Sequence, residues 1–269
     1  MTLRHNSFTV YTLVFLLTIG TVCQLPATLI FQDDFDGGSG TNLHGTTPDI
    51  TTGGASWTAN STFKADGSVS TSGGNQASAS LPFTPQAGKI YELTVVFENT
   101  TDNNDWLSAA FCELQDTEQA FVGLNSYGTA WHKIDTASGK ENLTVAAGMG
   151  TDGVESHGSS TGETFPGRVR FQATLDATDS NSANWIMDLS GESLSPESSD
   201  AFTFADQPAV SGNYGDINYV LLSRADYGGG HYDSLTLEVI PEPVSLSAWL
   251  LSGLGWFGWH RGIRKNRAK

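Results

Sequence analysis

Apolar and polar residues alternate with a period of two along the chain between residues 28 and 240, and no window of that stretch keeps the 3.6-residue period of a helix. A period of two brings every second side chain to the same face, so it predicts strands with one buried face. Runs of turn-forming residues, such as Gly37–Gly40 and Gly228–Gly230, separate the alternating stretches. The clearest of roughly a dozen predicted strands are Leu29–Phe35, Lys89–Phe97, Leu107–Phe111, Arg168–Leu175, Asn184–Leu189, Ile217–Leu222 and Tyr232–Val239.

Many short strands without an internal repeat predict an all-β fold, a two-sheet antiparallel sandwich over residues 28–240. Its recognisable features, in chain order, are a first strand ending in Asp33–Asp36, a strand with Tyr91 followed by Trp106 and Phe111, the Arg168–Leu175 strand, a strand with Trp185, and a last strand from Tyr232. This order resembles the concanavalin-A-like lectin and glucanase jelly roll of many exported bacterial proteins. In that fold the first and last strands are neighbours, so the resemblance implies that Leu29–Phe35 pairs with Leu235–Val239.

The predicted sandwich is strongly acidic. Between Thr28 and Ile240 lie 28 of the 29 acidic residues but only 7 of the 13 basic ones, a formal net charge of −21. Phosphate backbones would repel this segment, so we expect no nucleic acid partner. Cys112 is its single cysteine, because Cys23 falls in an apolar leader. We therefore predict no intramolecular disulfide and a Cys112 that is a small core residue.

The N-terminus has the pattern of a secretory signal peptide. Arg4 and His5 precede the mostly apolar run Phe8–Cys23, which matches a charged start followed by a short hydrophobic helix. Small residues suit cleavage near Ala27, where a predicted strand follows. We therefore expect residues 1–27 to be a signal helix that exports the sandwich across the inner membrane.

The C-terminus has the pattern of a membrane anchor. Residues 244–258 carry no charge, and their 15 positions span roughly 23 Å as a helix, against a hydrocarbon core of about 30 Å. We predict a short transmembrane helix over residues 244–259 and a basic tail over residues 260–269. The positive-inside rule puts this tail in the cytoplasm and the sandwich outside. The basic residues of the tail are Arg261, Arg264, Lys265, Arg267 and Lys269.

Pro241, Glu242 and Pro243 stand directly before the predicted helix. Two prolines force an extended stretch that neither the last strand nor the helix can absorb, which leaves a peptide accessible to a processing enzyme. A Pro-Glu-Pro motif, a short apolar helix and a basic end together resemble the PEP-CTERM family of exported bacterial proteins. The resemblance implies that an exosortase reads these three residues and processes residues 241–269, in cells that often make exopolysaccharide. A membrane-anchored precursor would then become a cell-surface or extracellular protein. An ordinary membrane anchor is the alternative.

No catalytic pattern is evident. The Glu-x-Asp-x-Glu motif of jelly-roll glucanases is absent, and its nearest equivalent has Glu113 out of phase with Asp116 and Glu118. We interpret that stretch as a hairpin turn between strands containing Phe111 and Phe121. The four histidines of the sandwich, which show no zinc spacing and are expected on the surface or in loops, are His44, His132, His157 and His231. We expect a non-enzymatic protein without a cofactor; a polysaccharide hydrolase or lyase, or a purely structural matrix protein, are the alternatives.

Two kinds of binding site remain open. Aromatic side chains can stack on sugar rings, and the candidates are Tyr214 and Tyr227, each next to a glycine and expected to be exposed, with Trp57 and Trp131. Most of the tryptophans, however, are expected in the core. Asp34, Asp36 and Asp233 could converge on a structural calcium ion if the end strands pair as predicted. Solvated carboxylates are the simpler interpretation of these three residues.

Overall fold

Fourteen β-strands occur in the part of the chain that the computed structural model describes, residues 26–70, 77–99, 106–115, 126–135, 140–146, 155–158, 168–194, 214–225 and 230–241. The strands are β1 (Thr28–Asp33), β2 (Ile50–Thr51), β3 (Thr58–Ala59), β4 (Ser68–Val69), β5 (Ala77–Pro82), β6 (Lys89–Asn99), β7 (Trp106–Cys112), β8 (Ser126–Asp135), β9 (Lys140–Ala146), β10 (Glu155–Gly158), β11 (Arg168–Ala177), β12 (Ile186–Ser193), β13 (Tyr219–Ala225) and β14 (Gly230–Ile240). Two 3-10 helices, Ser182–Asn184 and Tyr214–Asp216, precede β12 and β13.

The strands form two antiparallel sheets. Sheet I has the order β12-β11-β6-β14-β1-β2, with β4 also paired to β14, and sheet II has the order β10-β9-β8-β7-β13-β5-β3. The chain crosses from sheet II to sheet I between β5 and β6, returns for β7, and crosses again around β11, β13 and β14. This repeated exchange between two facing sheets makes the fold a jelly-roll-like antiparallel sandwich, as the alternation predicts. Residues 27–240 form one compact unit.

The predicted pairing of the first and last strands is confirmed. Strand β1 lies antiparallel to β14, with Leu29 opposite Glu238 and Asp33 opposite Leu235. The first strand ends at Asp33 rather than at Phe35, because Phe35 has a positive φ of 49° that breaks the extended conformation. The pairing joins the two ends of the compact unit side by side in sheet I.

Alternation sets the core. In β11 the inward side chains of Val169, Phe171, Ala173 and Leu175 are fully buried, while the residues between them are half-buried. The same period in β6 buries its inward residues, and the two inner faces meet in one apolar cluster. Cys112 is fully buried and unoxidised, which confirms its prediction as a core residue.

A tyrosine of sheet I reaches across the sandwich to the backbone of sheet II. The hydroxyl of Tyr232, on β14, accepts a hydrogen bond from the Ser108 N–H at 3.2 Å. It lies 2.8 Å from the carbonyl oxygens of Ser108 and Ser223, to which it can donate. Since Tyr232 is 1% exposed, these bonds tie the two sheets together inside the core.

The predicted strands Asn184–Leu189 and Ile217–Leu222 begin later than expected. A 3-10 turn occupies Ser182–Asn184, capped by the Asn181 side chain, which accepts from the Ala183 N–H. A second 3-10 turn ends at Asp216, and the chain becomes a strand only at Tyr219. Both turns use local polar groups that compete with the strand ladder at its first residues.

The terminal segments predicted as a signal helix and a transmembrane helix lie outside the described residues, apart from Pro26, Ala27 and Pro241. Within the described ranges, no helix has both the length and the apolar character that a membrane crossing requires.

Candidate functional site

The structure corrects two of the four proposed sugar-stacking residues. Trp57 is 1% exposed, and its Nε1 donates a 2.7 Å hydrogen bond to Asp33. Tyr214, expected to be exposed, is fully buried. Neither ring is available to a sugar in this conformation, because each fills core space. Trp131 belongs to β8 as the partner of Ser108, but its side chain, like all of Tyr227, is outside the described part of the chain.

The three carboxylates proposed for calcium are not brought together. Asp34 and Asp36 are exposed after the end of β1, whereas Asp233 forms an ion pair with Arg168. Across the described ranges, no three His, Cys, Asp or Glu side chains are grouped so that they could hold a metal ion. The end strands do pair, but Phe35 turns the chain before Asp36, and Asp233 already has a cation beside it.

Asp33, the last residue of β1, instead makes hydrogen bonds inside the sandwich. Its carboxylate accepts hydrogen bonds from Trp57 Nε1 and, at 2.9 Å, from the Phe35 N–H. Burial raises the pKa of Asp33, and these two hydrogen bonds offset part of that rise. This buried contact ties the residue before β3, Trp57, to the end of β1, which is a structural role.

The histidines of the described strands and loops take separate positions. His44 is exposed, and its Nδ1 accepts from the Ala59 N–H at 3.2 Å. His132, His157 and His231 lie in β8, β10 and β14. No two of them occupy adjacent register positions in the sheets.

The most unusual polar group lies where β7 ends and β8 and β13 begin. Two steps along β7, from Ala109 to Phe111, correspond to three steps along β8, from Ala130 back to Tyr127. This register shift is a β-bulge in β8, and bulges redirect side chains. It brings Tyr127 opposite Phe111, on the core side of sheet II.

The Tyr127 hydroxyl is buried without a hydrogen-bond partner among the described residues. The residue is 1% exposed, and its ring packs edge-to-face against Tyr214 with centroids 5.6 Å apart. Burial raises the pKa of Tyr127, and the negative charges of Glu113 and Asp216 raise it further. Burial also raises the pKa of Tyr214 to about 12, with smaller contributions from Tyr127 and Asp188. A buried polar atom left unpaired is costly and rare in native proteins.

Polar side chains at the end of β7 and the start of β13 lie near Tyr127, and the charges of two of them, Glu113 and Asp216, affect its pKa. Glu113 is half-buried, while Gln115, Asp216 and Asn218 are exposed. The Asn218 amide donates to the backbone oxygens of Asp216 at 3.0 Å and Glu113 at 3.4 Å, which holds the start of β13 against the end of β7. We name the following group the end cluster: Glu113, Gln115, Tyr127, Tyr214, Asp216 and Asn218.

Sequence reasoning found only two members of the end cluster, each in another role. Glu113 was considered as part of a catalytic or turn sequence, and its described neighbours do leave β7 in a bend. Asp116, Glu118 and Phe121 lie outside the described residues, and the next described strand begins at Ser126. No sequence pattern indicates that Tyr127 is buried, because a bulge changes which sheet face a side chain lies on without changing the residue pattern before it.

A second group of carboxylates lies on the outer face of sheet I. Glu92 of β6 and Glu238 of β14 are direct partners in the antiparallel ladder. Burial raises the pKa of Glu92, and the charge of Glu238 raises it further. Gln172 Nε2 donates to Glu92 at 3.4 Å. Like charges directly opposite each other destabilise a sheet, and Glu92 relieves the repulsion by holding a proton to higher pH.

No protein-family model matches this chain, and no curated protein matches it significantly. Solved structures similar to it include a glycosyl hydrolase family protein from Mycobacterium fortuitum, which is 11% identical with a TM-score of 0.44 and covers 78% of this chain and 99% of that one. An uncharacterized protein from Mycobacterium paratuberculosis is 10% identical with a TM-score of 0.41, over 77% and 99% of the two chains. A legume lectin-like domain from Entamoeba histolytica is 8% identical with a TM-score of 0.37, over 64% and 84%. No activity or residue role is transferred from these proteins to this chain.

Proposed function

We propose that the sandwich is a non-catalytic glycan-binding domain whose binding site is the end cluster. The observation that carries the proposal is the buried Tyr127 hydroxyl, which lacks a partner among the described residues although it lies beside exposed polar groups. A native fold keeps such a group unpaired at a cost, and a binding site is one reason for it to do so. Because the hydroxyl itself is buried, a water that bridges it to a ligand hydroxyl would supply the missing bond.

The chemistry of the end cluster suits a sugar. Carboxylates at Glu113 and Asp216 can accept hydrogen bonds from sugar hydroxyls, and the carbonyl oxygens of the Gln115 and Asn218 amides can accept as well. Gln115 Nε2 donates to Thr58 at 2.8 Å and has a second N–H to donate. Leu114, with 46% of its surface exposed, adds an apolar contact between two of these polar residues. Sites for polar small molecules combine apolar surface with a few placed polar groups in this way.

Substituting Tyr127 by phenylalanine tests the site. The change removes the hydroxyl and keeps the ring against Tyr214, so we expect unfolding stability to stay equal or to rise. Glycan affinity should fall about 2- to 13-fold, the equivalent of one neutral hydrogen bond of about 0.5–1.5 kcal/mol. An array of neutral, cationic and anionic oligosaccharides would find the best ligand, and isothermal titration calorimetry would compare the variants.

Tyr91→Phe is the matched control. In the wild type the Tyr91 hydroxyl accepts a hydrogen bond from the Gln86 N–H at 2.8 Å. The variant should therefore lose some stability and no glycan affinity. Equal glycan affinity of wild type and Tyr127→Phe, or no glycan binding by either, would contradict the proposal. Release of reducing ends or of unsaturated sugars from the bound glycan would instead make the domain a hydrolase or lyase.

We further propose that residues 1–27 export the domain and that residues 241–269 are a PEP-CTERM sorting signal read by an exosortase. The support is the order Pro241-Glu242-Pro243, apolar segment and basic end in the sequence. The precursor would be anchored in the membrane and its product found at the cell surface or in the exopolysaccharide matrix. Fractionation of cells with the protein carrying Glu242→Lys should show an unprocessed, membrane-bound chain. Processing of this variant like the wild type would refute the sorting role.

A further inference from the structure

We propose that the glycan bound at the end cluster is cationic: a polymer of amino sugars whose amines are free. This inference rests on the proposed function and names the ligand class for the same site. It comes from the charges at the end of the sandwich where β7 finishes, which we call the β7 end.

The connecting segments at the β7 end carry more acidic than basic charge. The ladders place the ends of β5, β7, β11 and β14 and the starts of β6, β8, β12 and β13 at this end. The described connections there are residues 83–88, 113–115, 178–185 and 214–218, and three of them contain an acidic residue: Glu113, Asp179 and Asp216. The fourth is next to a cation, because Lys89 begins β6 and its Nζ donates to Gln86 at 2.9 Å. An anionic polysaccharide would therefore meet repulsion at the three acidic connections, and a cationic one would be attracted there.

Asp179 is held in its charged form. Hydrogen bonds from the Asn181 N–H at 2.8 Å and the Asn184 amide at 3.0 Å stabilise the charged form of Asp179 and lower its pKa. Glu113 and Asp216 both act on the pKa of Tyr127 as negative charges. Two negative charges thus act on the Tyr127 hydroxyl, which has no hydrogen-bond partner among the described residues.

Two described arginines form ion pairs away from this end. Arg168 and Arg170, on the exposed side of β11 in sheet I, form ion pairs with Asp233 and Glu192. They do not neutralise the carboxylates of the β7 end connections. An ammonium group, with three donors and a positive charge, could pair with Glu113 or Asp216, while the neighbouring ring hydroxyls of the same sugar would bond to Tyr127 through a water.

A pair of ligands that differ only in charge tests the inference. Hexamers of glucosamine and of N-acetylglucosamine have the same backbone, and at about pH 6 the first is cationic and the second neutral. Calorimetry with the full-length protein should show tighter binding of the glucosamine hexamer, weakened by added salt because exposed charges are screened. Glu113→Gln and Asp216→Asn should each weaken it about 1.5- to 5-fold, as expected for exposed ion pairs.

Glu238→Gln is the matched control, because it removes the same charge from the outer face of sheet I, away from the site. It should leave the affinity unchanged; an equal loss there would mean non-specific attraction to an acidic protein and would overturn the inference. Equal or tighter binding of the N-acetylated or an anionic hexamer, still lost in Tyr127→Phe, would refute the charge class and keep the glycan site. If a lysine hexamer bound as tightly, the site would recognise amines without a sugar, and the amino-sugar class would be refuted. Failure of all glycans would refute the proposed function itself.

Discussion

Removing the Tyr232 hydroxyl tests how the two sheets are held together. In Tyr232→Phe the ring can keep its contacts with Phe35, Phe63 and Phe97, whose centroids lie 6.4, 6.1 and 6.0 Å away. Only the hydrogen bonds to the sheet II backbone are lost. The variant therefore isolates a polar contact between the sheets from the apolar packing around it.

The cost follows from what is left behind. The Ser108 N–H loses its 3.2 Å acceptor in a place where Tyr232 is 1% exposed, so water cannot replace the bond without opening the core. A buried donor left unpaired costs about 1–3 kcal/mol. For a domain of this size, that corresponds to a melting temperature about 2–12 °C lower.

Differential scanning calorimetry and urea unfolding would measure the change. Tyr91→Phe also removes a tyrosine hydroxyl, but the hydrogen-bond partner of Tyr91 is the exposed residue Gln86. The backbone groups of Gln86 can bond to water instead. We expect the loss for Tyr232→Phe to exceed that for Tyr91→Phe. A Tyr232→Phe protein within about 0.5 kcal/mol of wild type, or less affected than Tyr91→Phe, would refute the inter-sheet role of the hydroxyl.

Two further substitutions test the repulsion between Glu92 and Glu238 on sheet I and the close approach of the Gly67 backbone to the Tyr232 carbonyl. Glu238→Gln should raise the free energy of unfolding at neutral pH by at most about 0.2–1 kcal/mol, because it removes the like charge opposite a partly exposed Glu92. The pKa of Glu92 is raised in the folded state, so the repulsion between the two carboxylates destabilises the fold above that pKa and disappears as the pH falls through it. Urea unfolding should therefore show Glu238→Gln to be more stable than wild type at neutral pH and equally stable in acid. Gly67→Ala should cost at least about 2 kcal/mol, because Gly67 has φ +77° and a Cβ would stand 2.0 Å from the Tyr232 carbonyl oxygen. Gly88→Ala, with φ +82° and open space around it, should cost only about 1 kcal/mol, and equal thermal shifts for the two glycine variants would contradict the close crossing.

Strict alternation made the long strands predictable. Every second residue of β11 is buried, so its existence and facing could be derived from the sequence. β6 and β14 keep the period over part of their length, but β14 changes phase at a register shift after Tyr232. The pairing of β1 with β14 came from the resemblance to a jelly roll and not from periodicity. Two-residue strands such as β2, β3 and β4 have no period to detect and were not predicted.

The candidate site was less accessible to sequence reasoning. Tyr214 has a glycine beside it, which suggested an exposed loop, but the 3-10 turn that contains it packs its ring on Tyr127. The facing of Tyr127 depends on a bulge, which tertiary pairing decides and local composition does not. Asp33 and Trp57 meet across 24 positions of sequence, a distance at which no local pattern indicates contact.

A structure of the protein bound to its tightest oligosaccharide is the most direct test that the end cluster is a glycan site. The account predicts a sugar at the β7 end, with a ligand oxygen or a bridging water within about 3.2 Å of the Tyr127 hydroxyl and the ligand in contact with Glu113 or Asp216. A sugar bound on another surface, with the Tyr127 hydroxyl still unpaired, would contradict it.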